Sequence, residues 1–286
     1  IAPRISRLRI MHMQKTILIT GSTDGVGLAT ARILASHNHN VLLHGRSAGK
    51  LEQAYESVSE AQGDGDVESY MADLSDLGQV ESLAKQVAEK HDQLDVLINN
   101  AGIFRVPEPI TRDGMDVRFV VNTLAPYLLT QRVLPLLGST GRVVNLSSAA
   151  QSPVNLQAMR GGVKVDDAFE AYAQSKLAIT MWSRALAESL GSNGPVIIAV
   201  NPGSMLGSKM VMEGFGVAGG DINIGADILV RAALSEEFTG LSGKYFDNDK
   251  KQIADPHPDA LDSLKSSEVV GEIERILDRL NPQPIS

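Results

Sequence analysis

Residues 16–35, T-I-L-I-T-G-S-T-D-G-V-G-L-A-T-A-R-I-L-A, combine a short apolar run, a cluster of glycines and a second apolar stretch. The first run is rich in β-branched residues, which is typical of a strand buried on both faces. The second has apolar residues at helical spacing. Gly21 and Gly25 permit a tight turn between them, and Gly27 allows the helix to pack closely on a sheet. The segment therefore predicts the start of an α/β fold with a parallel sheet.

The glycine-rich turn is also a candidate phosphate site. Its spacing, G-x-x-x-G-x-G, differs from the commoner G-x-G-x-x-G, and an ordinary glycine-rich loop is the alternative interpretation. The helix that follows would present free N–H groups and the positive end of its dipole, and both attract a pyrophosphate. We therefore expect a dinucleotide to bind here. The residues expected to contact it are Gly21, Ser22, Thr23, Asp24, Gly25, Val26 and Gly27.

A second apolar run, Asn40–His44, ends in Gly45 and Arg46. The end of the second strand is where the adenosine ribose of a dinucleotide would lie in such a fold. An acidic residue there would select NAD(H), whereas Gly45 leaves room and Arg46 can pair with a 2′-phosphate. Against this, Asp24 would oppose a phosphate, and Arg46 has stacking on the adenine as an alternative role. The sequence favours NADP(H) over NAD(H).

Tyr172 and Lys176 lie one helical turn apart in the string Y-A-Q-S-K, and Ser147 and Ser148 follow an apolar run upstream. A free phenol has a pKa of about 10 and is a poor acid–base group at neutral pH. A lysine ammonium on the same helix face would lower that pKa, and a nearby hydroxyl would hold a substrate oxygen. A solvated Tyr–Lys pair without function is the alternative. The pattern predicts proton transfer to or from a carbonyl or alcohol oxygen.

Together these motifs resemble those of the short-chain dehydrogenase/reductase family, and the matching residues extend through most of the chain. They are Thr20, Gly21, Gly25, Gly27, Asp73, Leu74, Asn99, Asn100, Ala101, Gly102, Asn122, Ser148, Tyr172, Lys176, Pro202 and Gly203. The resemblance implies a single-domain Rossmann-type fold, that is, a doubly wound parallel sheet of about seven strands with helices on both faces. The catalytic tetrad that it implies consists of Asn122, Ser148, Tyr172 and Lys176.

The resemblance also extends the expected cofactor site beyond the glycine loop. The added contacts are Arg46, Asp73, Leu74, Asn100, Ala101, Gly102, Tyr172, Lys176, Pro202, Gly203 and Ser204. Asp73 would contact the adenine, although it is equally a candidate N-cap of a helix near Leu77–Lys90. Asn122 would connect to Lys176 through a helix carbonyl and water, or would be a satisfied core amide.

Two segments are expected to shape the substrate site. Ser148 and Tyr172 are 24 positions apart, a longer gap than is common in the family. Residues 151–169 are therefore interpreted as an insertion, similar to that of retinol-dehydrogenase-like members. Residues 205–220 mix methionine, glycine and phenylalanine after a predicted strand, which favours a mobile lid over an apolar substrate. A plain surface loop is the alternative for this second segment.

The composition indicates one globular domain. The 286 residues are 43% hydrophobic, enough for one sizeable core, and no linker interrupts the alternating strand and helix patterns. Residues 14–286 are expected to form this domain, and residues 1–13 an extension that is disordered or introduced in cloning, with Met11 or Met13 as the natural start. The net charge of −8 argues against a nucleic-acid partner, and no apolar run predicts a membrane span. A cytoplasmic location is expected.

The sequence thus predicts hydride transfer between a nicotinamide and the carbonyl or alcohol of a small, apolar substrate, with Tyr172 as the acid–base group. One alternative is an NADP(H)-binding sensor or scaffold without turnover. Another is reduction of a different bond, or epimerisation, on the same scaffold. The six histidines lack ligand spacing and no cysteine is present, so no metal is expected. The chain is expected to be a monomer or homodimer, with a tetramer as the alternative.

Overall fold

A computed structural model of the protein describes residues 13–280, and one central sheet organises them. Its strands are β1 (Thr16–Ile19), β2 (Asn40–Gly45), β3 (Val67–Met71), β4 (Val96–Asn99), β5 (Arg142–Leu146), β6 (Val196–Asn201), β7 (Tyr245–Asp247) and β8 (Gln252–Ala254). They lie in the order β3-β2-β1-β4-β5-β6-β7-β8. Every neighbouring pair is parallel except β7 and β8, which are antiparallel.

Helices connect the strands and cover both faces of the sheet. They are α1 (Gly25–Ser36), α2 (Ala48–Ser59), α3 (Leu77–Lys90), α4 (Val117–Phe119), α5 (Ala125–Leu137), α6 (Leu156–Met159), α7 (Ala168–Leu190), α8 (Lys209–Phe215), α9 (Asn223–Leu234), α10 (Pro258–Leu261) and α11 (Ser263–Leu280). A π-helical turn, Val120–Leu124, joins α4 to α5. One face of the sheet carries α1, α2 and α9, and the other carries α3, α5, α7 and α11.

The alternation of side chains along the strands produces two separate cores. In β1, Leu18 packs into the core beneath α3, α5 and α7, whereas Ile17 and Ile19 pack into the core beneath α1, α2 and α9. Successive side chains of a strand point to opposite faces of the sheet. A strand covered on both faces is therefore apolar at consecutive positions, which is why β1 has a continuous apolar run.

The strand order creates a crevice at the carboxyl edge of the sheet. β1 lies between β2 and β4. The chain runs from β1 through β2 to β3 on one side of β1, and from β4 through β5 to β6 on the other side. The chain therefore leaves β1 and β4 toward helices on opposite faces of the sheet, and sheets of this type bind ligands in the crevice at such a point. The loops after β2, β5 and β6 open onto the same edge.

The predicted doubly wound α/β fold is confirmed, with eight strands among the described residues where about seven were expected. The additional strand, β8, is a three-residue edge strand. It is too short for an alternation of apolar and polar residues to be recognised in the sequence. The alternative role of Asp73 as N-cap of α3 is wrong. That cap is Asp76, whose carboxylate accepts hydrogen bonds from the N–H groups of Gly78 and Gln79.

The two segments expected to shape the substrate site contain regular structure. Residues 151–169 include α6 and extend into the first turn of α7, and residues 205–220 include α8. Of the predicted extension 1–13, residues 1–12 lie outside the described residues. Within residues 13–280, no helix combines the length and the apolar character needed to cross a bilayer.

Candidate active site

Three positions of the loop between β1 and α1 and of the first turn of α1 require glycine, either for the backbone conformation or for lack of room. Gly21 and Gly25 have φ angles of 65° and 57°, which L side chains rarely adopt. A Cβ on Gly21 would lie 2.8 Å from Cα of Ala101, and one on Gly27 would lie 2.4 Å from the carbonyl oxygen of Gly21. The first turn of α1 thus packs against its own loop, and Gly25, Val26 and Gly27 line the crevice.

Two polar residues of the loop are used for its own structure. The carboxylate of Asp24 caps α1 by accepting a hydrogen bond from the N–H of Gly25, and it lies 3.7 Å from Nζ of Lys50. The hydroxyl of Ser22 is buried; it donates to the carbonyl of His44 and accepts from the N–H of the same residue. Ser22 was expected to contact a cofactor, but its side chain connects the loop to β2.

His44, at the end of β2, is a site residue that the sequence analysis did not single out. The N–H of Gly21 donates to its Nδ1, and its Nε2 lies 3.1 Å from the carbonyl oxygen of Ala72. Burial lowers the pKa of His44 to about 4, although the hydrogen bond to Ala72 and the charge of Asp73 act in the opposite direction. The neutral ring therefore ties the glycine loop to the ends of β2 and β3.

The turn after β4 supports the glycine loop from the other side. The side-chain amide of Asn100 donates to the carbonyls of Thr20 and Gly21, at 2.9 Å in each case. The N–H of Ala101 donates to the hydroxyl of Thr20. Asn99 points away from the crevice and donates to Asn145 of β5 within the core. The two loops that border the crevice are therefore held to each other by direct hydrogen bonds.

Asn122 lies in the π-helical turn, fully buried behind the crevice. Its amide nitrogen donates to the carbonyl of Ile103 and to the hydroxyl of Ser175, and its oxygen accepts from the N–H of Ile103. The side chain is thus fully hydrogen-bonded, and it fixes the chain just after Gly102. A Cβ on Gly102 would lie 3.5 Å from the Asn122 oxygen and 3.4 Å from Nζ of Lys176.

Tyr172, Ser148 and Lys176 come together at the floor of the crevice. The hydroxyl of Ser148, just after β5, lies close enough to the Tyr172 phenol to lower the pKa of that phenol. Nζ of Lys176 lies 5.7 Å from the centre of the Tyr172 ring and donates to the carbonyl of Leu146 at 2.7 Å. Ser147 instead bonds to Thr180 and to the carbonyl of Lys176. Of the two serines, it is Ser148 that reaches the tyrosine.

The protonation of this group differs from the expectation. Burial raises the pKa of the Tyr172 phenol, and the nearby Ser148 hydroxyl, which lowers it, only partly opposes this. Burial lowers the pKa of Lys176 to about 8. The lysine does not lower the tyrosine pKa here because its ammonium is directed at Leu146 and not at the phenol oxygen. At neutral pH the phenol keeps its proton, and that is the form that can act as an acid.

The crevice opens into a cleft of about 710 Å³ that brings most of the predicted site residues together. Two predicted residues, Ser22 and Asn122, are not among those that line it. The predicted residues that do line it are Gly21, Thr23, Asp24, Gly25, Val26, Gly27, Arg46, Asp73, Leu74, Asn100, Ala101, Gly102, Ser148, Tyr172, Lys176, Pro202, Gly203 and Ser204. Among the described residues, no group of three carboxylate or imidazole side chains could hold a metal ion.

One end of the cleft has an aromatic wall centred on Phe104. Its ring is stacked on Phe215 of α8 at 5.5 Å, meets Phe169 edge-on at 6.2 Å and lies 5.2 Å from the Tyr172 ring. A Cβ on Gly214 would lie 2.6 Å from the Phe104 ring, so this glycine permits the close approach of α8. Phe104 was missed because its partners are distant in sequence, and only its place just after N-N-A-G could have indicated it.

Comparisons with known proteins agree with this arrangement. The family profile described as short chain dehydrogenase matches residues 15–215. Retinol dehydrogenase 13 of Mus musculus is 30% identical over 281 residues, which cover 92% of this chain and 84% of the relative. The crystal structure of an uncharacterized protein from Mycobacterium Paratuberculosis is similar with a TM-score of 0.77 at 28% identity, covering 92% of this chain and 93% of that one. A short chain dehydrogenase from Burkholderia cenocepacia J2315, in complex with NADP, gives 0.67 at 26% identity, with coverages of 82% and 95%.

Proposed function

The chain belongs to the short-chain dehydrogenase/reductase family of oxidoreductases, and on that premise we propose that it uses NADP(H) to interconvert a carbonyl and an alcohol on a medium-sized, apolar substrate. The observation that carries this proposal is the Tyr172 phenol at the floor of the cleft, with the Ser148 hydroxyl close enough to lower its pKa and the buried ammonium of Lys176 beside its ring.

The proton chemistry follows from these three side chains. Tyr172 donates its proton to the carbonyl oxygen, and the Ser148 hydroxyl holds that oxygen next to the phenol. Because the pKa of Tyr172 is raised, the phenol is protonated at neutral pH and the site is set for reduction. The buried ammonium of Lys176 donates to the Leu146 carbonyl, so it would stabilise the phenolate that is left after transfer only by turning toward the phenol oxygen. Asn122 acts by fixing the backbone next to Gly102, which borders the ammonium.

The cleft fits a dinucleotide. A Cβ on Gly21 or Gly27 would collide with backbone atoms, so only main chain is present at these two positions, and the start of α1 beside them would offer its N–H groups to a phosphate. The residues that would hold the phosphates are those of the glycine loop, and Pro202–Ser204 would lie against the nicotinamide. When bound, the cofactor supplies or accepts the hydride.

The preference for NADP(H) is proposed from the charges at the end of β2. Arg46 and Lys50 both line the cleft, and both are exposed. Asp24, the one acidic residue of the glycine loop, pairs with Lys50 and caps α1, so its charge is partly offset. Gly45 leaves room for Thr23, whose methyl group would lie 2.4 Å from a Cβ at that position. A 2′-phosphate would therefore meet cations.

The substrate class is proposed from the far end of the cleft. The aromatic wall of Phe104, Phe169 and Phe215 lies directly beside Tyr172, and Met205 and Met210 line the same cleft. Apolar and aromatic side chains favour a hydrocarbon substrate with one polar group. The substrate that gives the mouse relative its name, retinol, is an alcohol of that kind.

The chemistry is tested by Tyr172→Phe, which keeps the ring and removes the proton donor. We expect NADPH-dependent reduction of apolar aldehydes or ketones to fall by more than about a hundredfold, because proton donation is required. NADPH binding, followed by fluorescence titration, should stay close to wild type. Tyr55→Phe, on the exposed surface of α2, is the matched control and should keep full activity. A Tyr172→Phe protein that keeps most of its rate would rule out the proposed acid.

The cofactor preference is tested by Arg46→Ala. Loss of a charge-assisted pair should weaken NADPH binding by roughly tenfold to a hundredfold and leave NADH binding nearly unchanged. Arg112→Ala, at an exposed arginine that does not line the cleft, is the control. Equal losses for the two cofactors would mean that Arg46 stacks or packs and does not read the 2′-phosphate.

A further inference from the structure

One short segment, Tyr245–Asp249, contacts two of the loops that border the cleft. We call it the β7 bracket; it consists of strand β7 and the first two residues of the turn that follows. β7 pairs in parallel with β6, with Tyr245 beside Ala199 and Asp247 beside Asn201. The bracket therefore runs toward the carboxyl edge of the sheet and ends next to the loop that begins at Pro202.

The first arm of the bracket is the Tyr245 side chain. Its hydroxyl donates to the main-chain carbonyl of Ser148 at 3.0 Å. The side-chain amide of Gln151 donates to the same carbonyl at 3.0 Å, and the Gln151 oxygen accepts from the N–H of His257. Burial, then the charges of Asp247 and Asp249, raise the pKa of Tyr245, so it remains a donor at neutral pH.

The second arm is the turn after β7. One carboxylate oxygen of Asp249 accepts from the N–H of Ser204 at 2.8 Å, and the other accepts from the Ser204 hydroxyl and from the Asn201 amide at 2.5 and 2.9 Å. The Asn248 amide donates to the carbonyl of Pro202 at 2.8 Å. Burial alone would raise the pKa of Asp249, but the hydrogen bonds from Ser204 and Asn201 and the charge of Lys250 lower it. The carboxylate is therefore ionised and accepts all three bonds.

These two arms hold different parts of the same site. Ser148 carries the hydroxyl that acts on the Tyr172 phenol, and Pro202–Ser204 lines another part of the cleft. The Ser148 carbonyl is held by the Tyr245 hydroxyl, and the turn at Ser204 is held by three hydrogen bonds to the Asp249 carboxylate. Both parts of the backbone therefore have little freedom to shift. Neither Tyr245 nor Asp249 lines the cleft, so neither is placed to touch a ligand directly.

We infer that Tyr245 and Asp249 are positioning residues, Tyr245 for the Ser148 hydroxyl and Asp249 for the wall formed by Pro202–Ser204. The assignment of what each wall does rests on the proposed function, in which Ser148 holds the substrate oxygen and Pro202–Ser204 faces the nicotinamide. The contacts themselves do not depend on it. Separate effects on turnover and on cofactor affinity are therefore expected from two residues only four positions apart.

The test compares Tyr245→Phe and Asp249→Ala in the full chain, by hydrogen–deuterium exchange and by steady-state kinetics. Tyr245→Phe removes one hydroxyl and should speed exchange in peptide 147–151 but not in peptide 202–206. Its kcat should fall by roughly fivefold, about the value of one buried hydrogen bond, with KM for NADPH unchanged. Asp249→Ala should speed exchange in 202–206 only and raise KM for NADPH by roughly tenfold, with kcat within about twofold.

Matched controls and a milder variant keep the test decisive. Tyr55→Phe and Asp255→Ala change the same residue types at exposed positions and should alter neither peptide. If Asp249→Ala does not fold, Asp249→Asn retains the shape and should give the same pattern at smaller size. Exchange that changes in both peptides, or in neither, for either variant would overturn the inference. A wild type that reduces no carbonyl compound, with the two exchange patterns as expected, would instead contradict the proposed function.

Discussion

The side chain of His44 shows how one buried group can fix its own protonation state. Because the N–H of Gly21 donates to Nδ1, the single proton of the ring must be on Nε2, next to the carbonyl of Ala72. A second proton would have to bind to Nδ1, and the resulting N–H would face the N–H of Gly21, which is also a donor. Burial disfavours the charged ring as well and lowers the pKa to about 4. The glycine loop therefore depends on a neutral imidazole.

This argument predicts a pH-dependent stability. In the unfolded chain His44 has about the ordinary pKa of 6.5, whereas in the folded protein its pKa is about 4. Between these values the unfolded state holds more protons, so the free energy of unfolding falls as the pH falls. From pH 7 to pH 4.5 the contribution of His44 should be a loss of about 2 kcal/mol. Urea unfolding at the two pH values measures it.

The control for His44 is another histidine in the same region. His44→Gln should be less stable than wild type at pH 7, but it should lose about 2 kcal/mol less on going to pH 4.5. Exposed His37→Gln should keep the wild-type pH dependence. A His44→Gln protein with the same pH dependence as wild type would show that this imidazole is not the titrating group.

Single residues differ in how well the sequence predicted them, and the reason is the distance to their partners. Tyr172 and Lys176 share one helix face, so their spacing indicated an interaction before any fold was known. Phe104 contacts Phe169 and Phe215, and nothing within its own segment marks that contact. The raised pKa of Tyr172 could not be predicted from the sequence either, because it depends on burial and on where the Lys176 ammonium points.

Among the elements, the β1 strand, glycine loop and α1 helix form the unit that was predicted most completely. Each piece follows from local rules: an apolar run, two glycines with positive φ, and a helix capped by Asp24. The sequence could not indicate that Gly27 contacts the turn after β4, where a Cβ would lie 2.4 Å from Nδ2 of Asn100. The helices within residues 151–169 and 205–220 were also missed, because α6 and α8 are too short for a helical period to be recognised.

The Gly27 contact predicts the result of a pair of glycine substitutions. Gly27→Ala places a methyl group against the carbonyl oxygen of Gly21, a backbone atom that cannot move without distorting the loop. NADPH should bind at least roughly tenfold more weakly, since the loop would lose its approach to the phosphates. Gly49→Ala, also in a helix, brings the new methyl group within 4 Å of no atom outside its own stretch of helix, and this variant should bind NADPH normally. Fluorescence titration compares them, and equal affinities would contradict the close packing.

At the level of the whole molecule, the cleft and the two hydrophobic cores occupy different parts of the fold. The cleft that holds the candidate site lies along the carboxyl edge of the sheet, whereas the cores lie between the sheet and the helices on its two faces. The sequence predicted this layout because alternating strands and helices fix the layers. No functional role could be predicted for residues 245–257 from the sequence. Tyr245 and Ser148 are 97 positions apart, and only the folded sheet brings them together.

This separation predicts that stability and activity can be changed independently, and helix α11 provides the test. Ile273 of α11 is fully buried where that helix packs on α7, and it does not line the cleft. Ile273→Ala should lower the free energy of unfolding by about 3 kcal/mol, because it removes buried methyl groups and leaves a cavity. Leu264→Ala, on the same helix with 78% of its surface exposed, should change it by less than about 0.5 kcal/mol. Both proteins should keep wild-type kcat and KM for NADPH at 25 °C, where they remain folded. If Ile273→Ala alters KM while still folded, the packing of α11 is coupled to the site, and the division between cores and edge fails.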